Sequence, residues 1–261
     1  MGDKISTVIF PAITLVLLVA LWIFYLRAFQ VPDYILPDPW SVVQALIHAF
    51  ISGFIWPHLF YTLKSTLSGY LIGCGIGFLL GALLAESRIF EKFIHPYVVL
   101  LQSMPKVALA PLLIVWFGFG IESKIAMVVL MCFFPVFVNA LVGFKQADPD
   151  LIDVMRVSSA SRLRILLHVK LPAAGGTLFA GLEISIVLSL IGAVVGEFVA
   201  AERGMGTLLQ KAATDLNLSL MLATVFILAI LGLAGSLFIR FLHRKIIFWE
   251  HERQSVPLET A

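Results

Sequence analysis

Residues 148–172 read DPDLIDVMRVSSASRLRILLHVKLP, the one long polar interval in an otherwise apolar chain. Arg156, Arg162, Arg164, His168 and Lys170 stand there against Asp148, Asp150 and Asp153, with long hydrophobic runs on both sides. Leu151, Ile152 and Met155, then Leu163, Leu166 and Leu167, recur at helical spacing, so the interval reads as two short amphipathic helices around Ser158-Ser159. Lipid does not hold so charged a segment. It belongs in water at a membrane surface, shaped to meet something soluble.

The rest of the chain supplies the membrane. Of 261 residues, 60% are hydrophobic and 13% charged, with mean hydropathy +1.01. Soluble domains carry roughly 45–50% apolar and about 25% charged residues, so this is an integral membrane protein. A net charge of +2, with basic residues scattered through loops, gives no surface for nucleic acid. Cys74 and Cys132 lie inside apolar runs and read as small packing residues. The histidines at 48, 58, 95, 168, 243 and 251 have no metal-ligand spacing on one helix, so no metal site is expected. Neither a Ser/His/Asp arrangement nor paired carboxylates suggest catalysis. Asn217-Leu-Ser219 fits a glycosylation sequon that a bacterial membrane would leave unused.

Read in order, the first apolar run is Val8 to Leu26. It is long for a signal peptide, and Tyr25-Leu26-Arg27 is no small-residue cleavage site, so it reads as a first span. MGDKIS fits a myristoylation pattern, but one acyl chain adds little to a polytopic protein. Around Pro32, Pro37, Pro39 and Pro57 lies a short amphipathic piece, Ser41 to Ile51, expected at the interface with Ser41 as N-cap and Trp40 and Trp56 at headgroup depth. The second span, Thr62 to Ala85, places Gly69, Gly73, Gly77 and Gly81 every fourth residue, nearly in a row, which predicts close approach of another helix. A third span, Val98 to Gly118, is broken by Pro105 and Pro111, with Lys106 after the first. The fourth, Lys124 to Phe144, holds Pro135 and Asn139. The fifth, Gly175 to Phe198, holds Glu183 and Glu197, and the sixth runs from Leu218 to Phe241.

Six spans put both termini on one side. Roughly twelve Lys and Arg fall on the side of the termini and the polar interval against five on the other, so both termini and residues 148–172 are expected in the cytoplasm. Three regions follow: a first span with an external interfacial segment (1–57), a core of five spans carrying the interval (58–249), and a cytoplasmic tail (250–261).

The interval then resembles the coupling motif of binding-protein-dependent ABC importer permeases: Glu-Ala-Ala, three residues, Gly, nine residues, Ile, one residue, Leu-Pro. Anchored on Leu171-Pro172, Val169 takes the Ile position, Ser159 the Gly position, and Asp153, Val154 and Met155 the Glu-Ala-Ala positions. Only Leu-Pro is identical. Glycine would permit a left-handed turn at that position; serine makes the turn costlier or replaces it with a capped restart. The run from Pro111 to Gly120, Phe134 to Asn139, Gly192 to Phe198, and Gly204-Met-Gly206-Thr-Leu-Leu also look like permeases of nitrate, sulfonate, taurine and related organic-ion importers.

The resemblance implies an all-α type I importer permease with six transmembrane helices and cytoplasmic coupling helices between the fourth and fifth, in a bacterial inner membrane. It implies two cytoplasmic ABC ATPase subunits, a second copy of this permease, and a periplasmic or lipid-anchored binding protein. ATP and magnesium would be bound by the ATPases; this chain has no G-x-x-x-x-G-K-[ST] and is expected to bind no cofactor itself. The expected coupling residues are Asp153, Met155, Arg156, Ser158, Ser159, Ala160, Arg162, Leu171 and Pro172.

Four polar residues within spans are candidates for the pathway: Lys106, Asn139, Glu183 and Glu197. Glu183 lies about 16 Å along a helix from Pro172 and Lys106 about 18 Å from Gly118, so the two either pair or line a wet cavity, unless Lys106 reaches the cytoplasmic edge and Glu183 faces water. Asn139 would bond across helices or touch substrate. Glu197 would shape the external mouth, dock the binding protein, or be a solvated helix end. Two rival readings remain. An intramembrane enzyme would need clustered titratable groups at one depth, and an ion-coupled secondary carrier would work without an ATPase.

Overall fold

The computed structural model describes residues 2–248, so the expected tail at 250–261 lies outside the described residues. Twelve α-helices follow one another: α1 (Gly2–Phe29), α2 (Pro39–Ile51), α3 (Ile55–Glu86), α4 (Arg88–Ser103), α5 (Ala110–Phe117), α6 (Ile121–Lys145), α7 (Pro149–Val157), α8 (Arg162–Ile165), α9 (Leu171–Ala173), α10 (Gly175–Ala200), α11 (Met205–Thr214) and α12 (Leu218–Ile246). No strand occurs among the described residues.

Among the described residues four helices, α3, α6, α10 and α12, are long and apolar enough to cross a membrane, and α4 with the stretch Lys106–Phe117 makes a fifth if that bent pair is one span. The expected first span falls in α1, whose described apolar stretch is Ile13–Phe29. The third expected span is the one that changes most. Its two pieces meet at 89° instead of forming a kinked rod. Met104, before proline, is extended, and Pro105 has no N–H to continue the ladder, so the helix stops and restarts through a tight turn at Lys106–Leu109. Pro111 causes no break: it sits in the first turn of α5, where its missing N–H is an orphan anyway. The start of α2 also differs from expectation. Asp38, not Ser41, caps it, accepting from the Trp40 N–H with Pro39 at the first position, while the Ser41 hydroxyl donates to the Asp38 carbonyl. Trp40 and Trp56 are exposed, as an interfacial pair would be.

α6 is the central post, packed between α3 and α10. Lipid tails are as apolar as leucine, so close packing rather than water exclusion must hold such helices together. The glycine row does this on the α3 side. A Cβ added at Gly73 would lie 2.5 Å from Cys132 Sγ, at Gly77 2.7 Å from the Phe133 carbonyl oxygen, and at Gly81 2.6 Å from Ala140 Cβ; Gly69 abuts Val128 as tightly. The expected close approach is present, and its partner is α6. On the opposite face, Gly181 of α10 meets Asn139 and Pro135, and Gly192 meets Met131. Two hydrogen bonds fix the registers: Tyr70 donates to the Leu182 carbonyl, and Ser185 donates to the Cys132 carbonyl at 2.9 Å, close to Pro135. Gly77→Leu forces a side chain into backbone, not into a yielding rotamer. We expect it to cost about 3 kcal/mol or more and to lower the unfolding midpoint of the purified protein, while Gly75→Leu, with open space at its Cβ, leaves that midpoint nearly unchanged.

Candidate functional site

The polar interval leaves the end of α6 as α7, capped by Asp148, whose carboxylate accepts from the Asp150 N–H with Pro149 at the first position. The helix ends at Ser158, and Ser159 takes φ +59°. The Ser159 N–H bonds the Arg156 carbonyl and the Ala160 N–H bonds the Met155 carbonyl, the two crossed bonds of a Schellman cap. The turn that glycine would make is therefore made by serine. The capped restart is there too: Ser161 accepts from the Arg164 N–H and opens α8. Ser159 itself makes the turn, and the cap of the restart is Ser161, two residues on. Because an L-residue pays about 1–2 kcal/mol to enter the left-handed region, Ser159→Gly should hold or raise the melting midpoint, whereas Ser159→Val should lower it.

After α8 the chain widens into a π turn, Leu166–Lys170, closed by the Leu171 N–H on the Leu166 carbonyl, and enters α10 through α9. Such widened turns recur at functional sites. Two ion pairs brace the interval from either side. Lys145, just before it, meets Glu91 at 2.5 Å, and Lys170, near its end, meets Glu86, so both flanks are tied to the corner between α3 and α4. These pairs, 54 and 84 residues apart in sequence, carried no local signal.

What the interval presents outward is unusual. Leu151 is 50% exposed, Val154 63%, Val157 87% and Leu163 63%, beside the exposed Asp153–Arg156 pair and exposed Arg162. Met155 and Ile152 are half-buried on the inner side, and Ile165 is buried. Leu171 and Pro172 are half-buried where the interval joins α10, and Ala160 is half-buried in the turn. Aliphatic and charged groups thus interleave on the exposed face of the interval.

At the other end of α10 lies a buried polar knot. Glu197 is 1% exposed. Its two oxygens accept from the Thr62 hydroxyl and the Gly206 N–H, both at 2.7 Å, and Thr62 in turn accepts from the Met205 N–H at 2.8 Å. His58 Nδ1 lies 3.1 Å from the Gly204 nitrogen. The carboxylate thus fastens the N-terminus of α11 to α3 and α10, where helix dipole and free N–H groups favour an anion. Gly204 is at φ +135°, and a Cβ there would strike the Glu197 carboxyl. Glu197 is therefore neither a solvated helix end nor a wall of an external mouth in this state. Lys124, expected at the external edge of a span, is likewise buried, donating to the Phe119 carbonyl at 2.8 Å.

The other candidates separate. Glu183 takes the Arg240 guanidinium at 2.5 Å and the Ser236 hydroxyl at 2.9 Å, bridging α10 to α12. Lys106, at the 89° corner, holds its ammonium 4.8 Å over the Phe134 ring. Of the arrangements open to them, Lys106 and Glu183 do not pair but make two separate contacts, and a depth counted along a straight third span does not apply to Lys106. Asn139 bonds within its own helix, Nδ2 donating to the Pro135 carbonyl at 2.8 Å, rather than across to a neighbour.

The chain and its helical arrangement are similar to those of known proteins. Residues 74–248 match the family described as "Binding-protein-dependent transport system inner membrane component", and the chain belongs to that family. It is an ABC transporter permease of the importer type, a multi-pass membrane protein. A riboflavin transport system permease, RibX of Chloroflexus aurantiacus, is 34% identical over 91% of this chain and 89% of its own length. A probable ABC transporter permease of Haemophilus influenzae is 39% identical over 58% of this chain, a match spanning 62% of that relative's length. The taurine transport permease TauC of Escherichia coli is 32% identical over 67% of this chain and 63% of its own length. Among solved structures, an amino acid ABC transporter has TM-score 0.61 at 17% identity, covering 77% of this chain and 97% of that one, and the MetNI methionine transporter has TM-score 0.58 at 21%, covering 81% and 97%. These two likenesses are of fold.

Proposed function

We propose that this chain forms the translocation pathway of an ATP-driven importer and that residues 148–172 are the contact through which a separate cytoplasmic ATPase moves it. The observation that carries the reading is the exposed, interleaved face of Leu151, Val154, Val157 and Leu163 on a segment braced to the spans at both ends. Two permease copies would receive two ATPases, which bind ATP and magnesium, and a binding protein outside would deliver the cargo. ATP closes the ATPase pair, draws the two copies of α7 together and rocks the spans between two global states, each favoured by a different ligand. The charge asymmetry supports a cytoplasmic position for this face and both termini, in a bacterial inner membrane. The cargo is a small organic nutrient; relatives named for riboflavin and formylaminopyrimidine favour a heteroaromatic one.

Co-purification tests the reading. With the wild-type chain, a P-loop ATPase should stay bound through detergent extraction, and scrambling Leu151 to Leu167 should remove it. Uptake into vesicles that continues without any ATPase would instead support an ion-coupled carrier.

A further inference from the structure

A cavity of about 660 Å³ opens where α3, α4, α6 and the polar interval meet, within the range of ordinary ligand sites. Its lining includes Lys92, His95, Lys145 and Lys170 against one acid, Glu91, with Ile152 and Phe144 on the apolar side. Lys145 is engaged by Glu91 and Lys170 by Glu86. Lys92 and His95 are exposed and have no hydrogen-bond or ion-pair partner among the described residues. The excess of charge in the cavity is therefore positive.

Its height is set by the spans. Ala85, Phe144 and Lys145 line it from the final turns of α3 and α6, so the cavity lies where the hydrocarbon ends and headgroups begin. α4 supplies the other half of a lipid site. Glu91, Lys92 and His95 share its cavity side, while Phe90, Phe93 and Tyr97, on the opposite side by helical spacing, are 61%, 71% and 68% exposed. Ile94 and Val98 seat the helix against Phe134, Phe137 and Leu141 of α6. α4 is thus amphipathic, aromatic on one side and basic on the other, and its basic side faces a hollow at the span ends that matches the chemistry of an anionic phospholipid headgroup.

We propose that this cavity holds the phosphate of an anionic phospholipid headgroup, with Lys92 and His95 as its direct contacts. The occupant would then sit against Ile152 of α7 and beside the Lys145–Glu91 pair, so lipid composition would bear on the braced interval. Only the choice of leaflet rests on the cytoplasmic placement proposed above; the binding itself does not.

The test uses the full chain, purified in detergent and read by native mass spectrometry with phosphatidylglycerol, phosphatidylcholine or inorganic phosphate added. Phosphatidylglycerol should be retained over phosphatidylcholine, and Lys92→Gln with His95→Gln should lower its retention about tenfold, toward the phosphatidylcholine level. Arg203→Gln, at the opposite end of the molecule, should leave it unchanged, and inorganic phosphate should not displace it. Equal retention of the two lipids, or undiminished retention in a double variant that still runs as a single species, overturns the site. Binding of inorganic phosphate with the same variant dependence, and none of phosphatidylglycerol, overturns the lipid as its source. Since no ATPase is in the assay, each of these results stands apart from the coupling reading.

Discussion

Val154→Asp with Val157→Asp should release the ATPase while leaving the permease folded. Both side chains project from α7 and are more than half exposed, so the free chain loses little packing when they change. In a docked complex each would be a desolvated aliphatic anchor, and replacing it with a carboxylate strands a charge in the contact. Two such positions at about 2 kcal/mol each correspond to roughly a thousandfold weaker association. The measurement is the affinity of purified ATPase for the detergent-solubilised permease, with melting midpoint as the folding control. Arg156→Ala is the milder comparison: its pair with Asp153 is exposed, and about 1 kcal/mol or less is expected.

Glu197→Ala acts in the opposite way, on the fold and not on the exposed face. It leaves the Gly206 N–H and the Thr62 hydroxyl without their carboxylate acceptor in a site the protein closes. The Thr62 hydroxyl can turn to the His58 carbonyl, but the Gly206 N–H has no such alternative, so the variant should lose about 1–3 kcal/mol and unfold at a lower temperature. Glu197→Gln should lose much less. Its amide can still accept from Gly206, and the Thr62 hydroxyl can turn to the His58 carbonyl, already 3.2 Å away. A thermal unfolding series of wild type, Gln and Ala checks the order. Equal midpoints for wild type and Ala would mean the knot bears no load.

What was legible in the sequence was what repeats along one helix or announces its own turn. The four-residue glycine row needed only the period of a helix to become a packing face, and it found α6. The polar interval declared two helices and a turn at Ser158-Ser159, and the cap is there, with serine bearing a strain that glycine would avoid. Proline was read less well. The sequence locates Pro105 and Pro111 equally, but one follows an extended residue and turns the chain through a right angle, while the other merely opens a helix.

Long-range polar pairing was hidden for a different reason. Counting charges by span assigns each to a side of the membrane but not to a partner. Arg240 lies near the C-terminal end of α12, yet its side chain reaches Glu183; both stand roughly two turns from helix ends that meet. Glu197 looked like a loop acid because its partners, Thr62 and Gly206, lie 135 residues before it and nine after. The signal that was available is Gly204-Met-Gly206, two residues too small to fill the space that the carboxylate takes. Lys145–Glu91 and Lys170–Glu86 join segments that no residue pattern marks as neighbours.

The claim on which the rest depends is that the face of α7 meets an ATPase. A photoreactive amino acid placed at position 157, activated in intact cells, tests it most directly. The account predicts a single dominant adduct with a nucleotide-binding P-loop protein, diminished when the same group is moved to the inward position 152. Adducts with lipid alone, or none, from a chain that still reaches the membrane would contradict it.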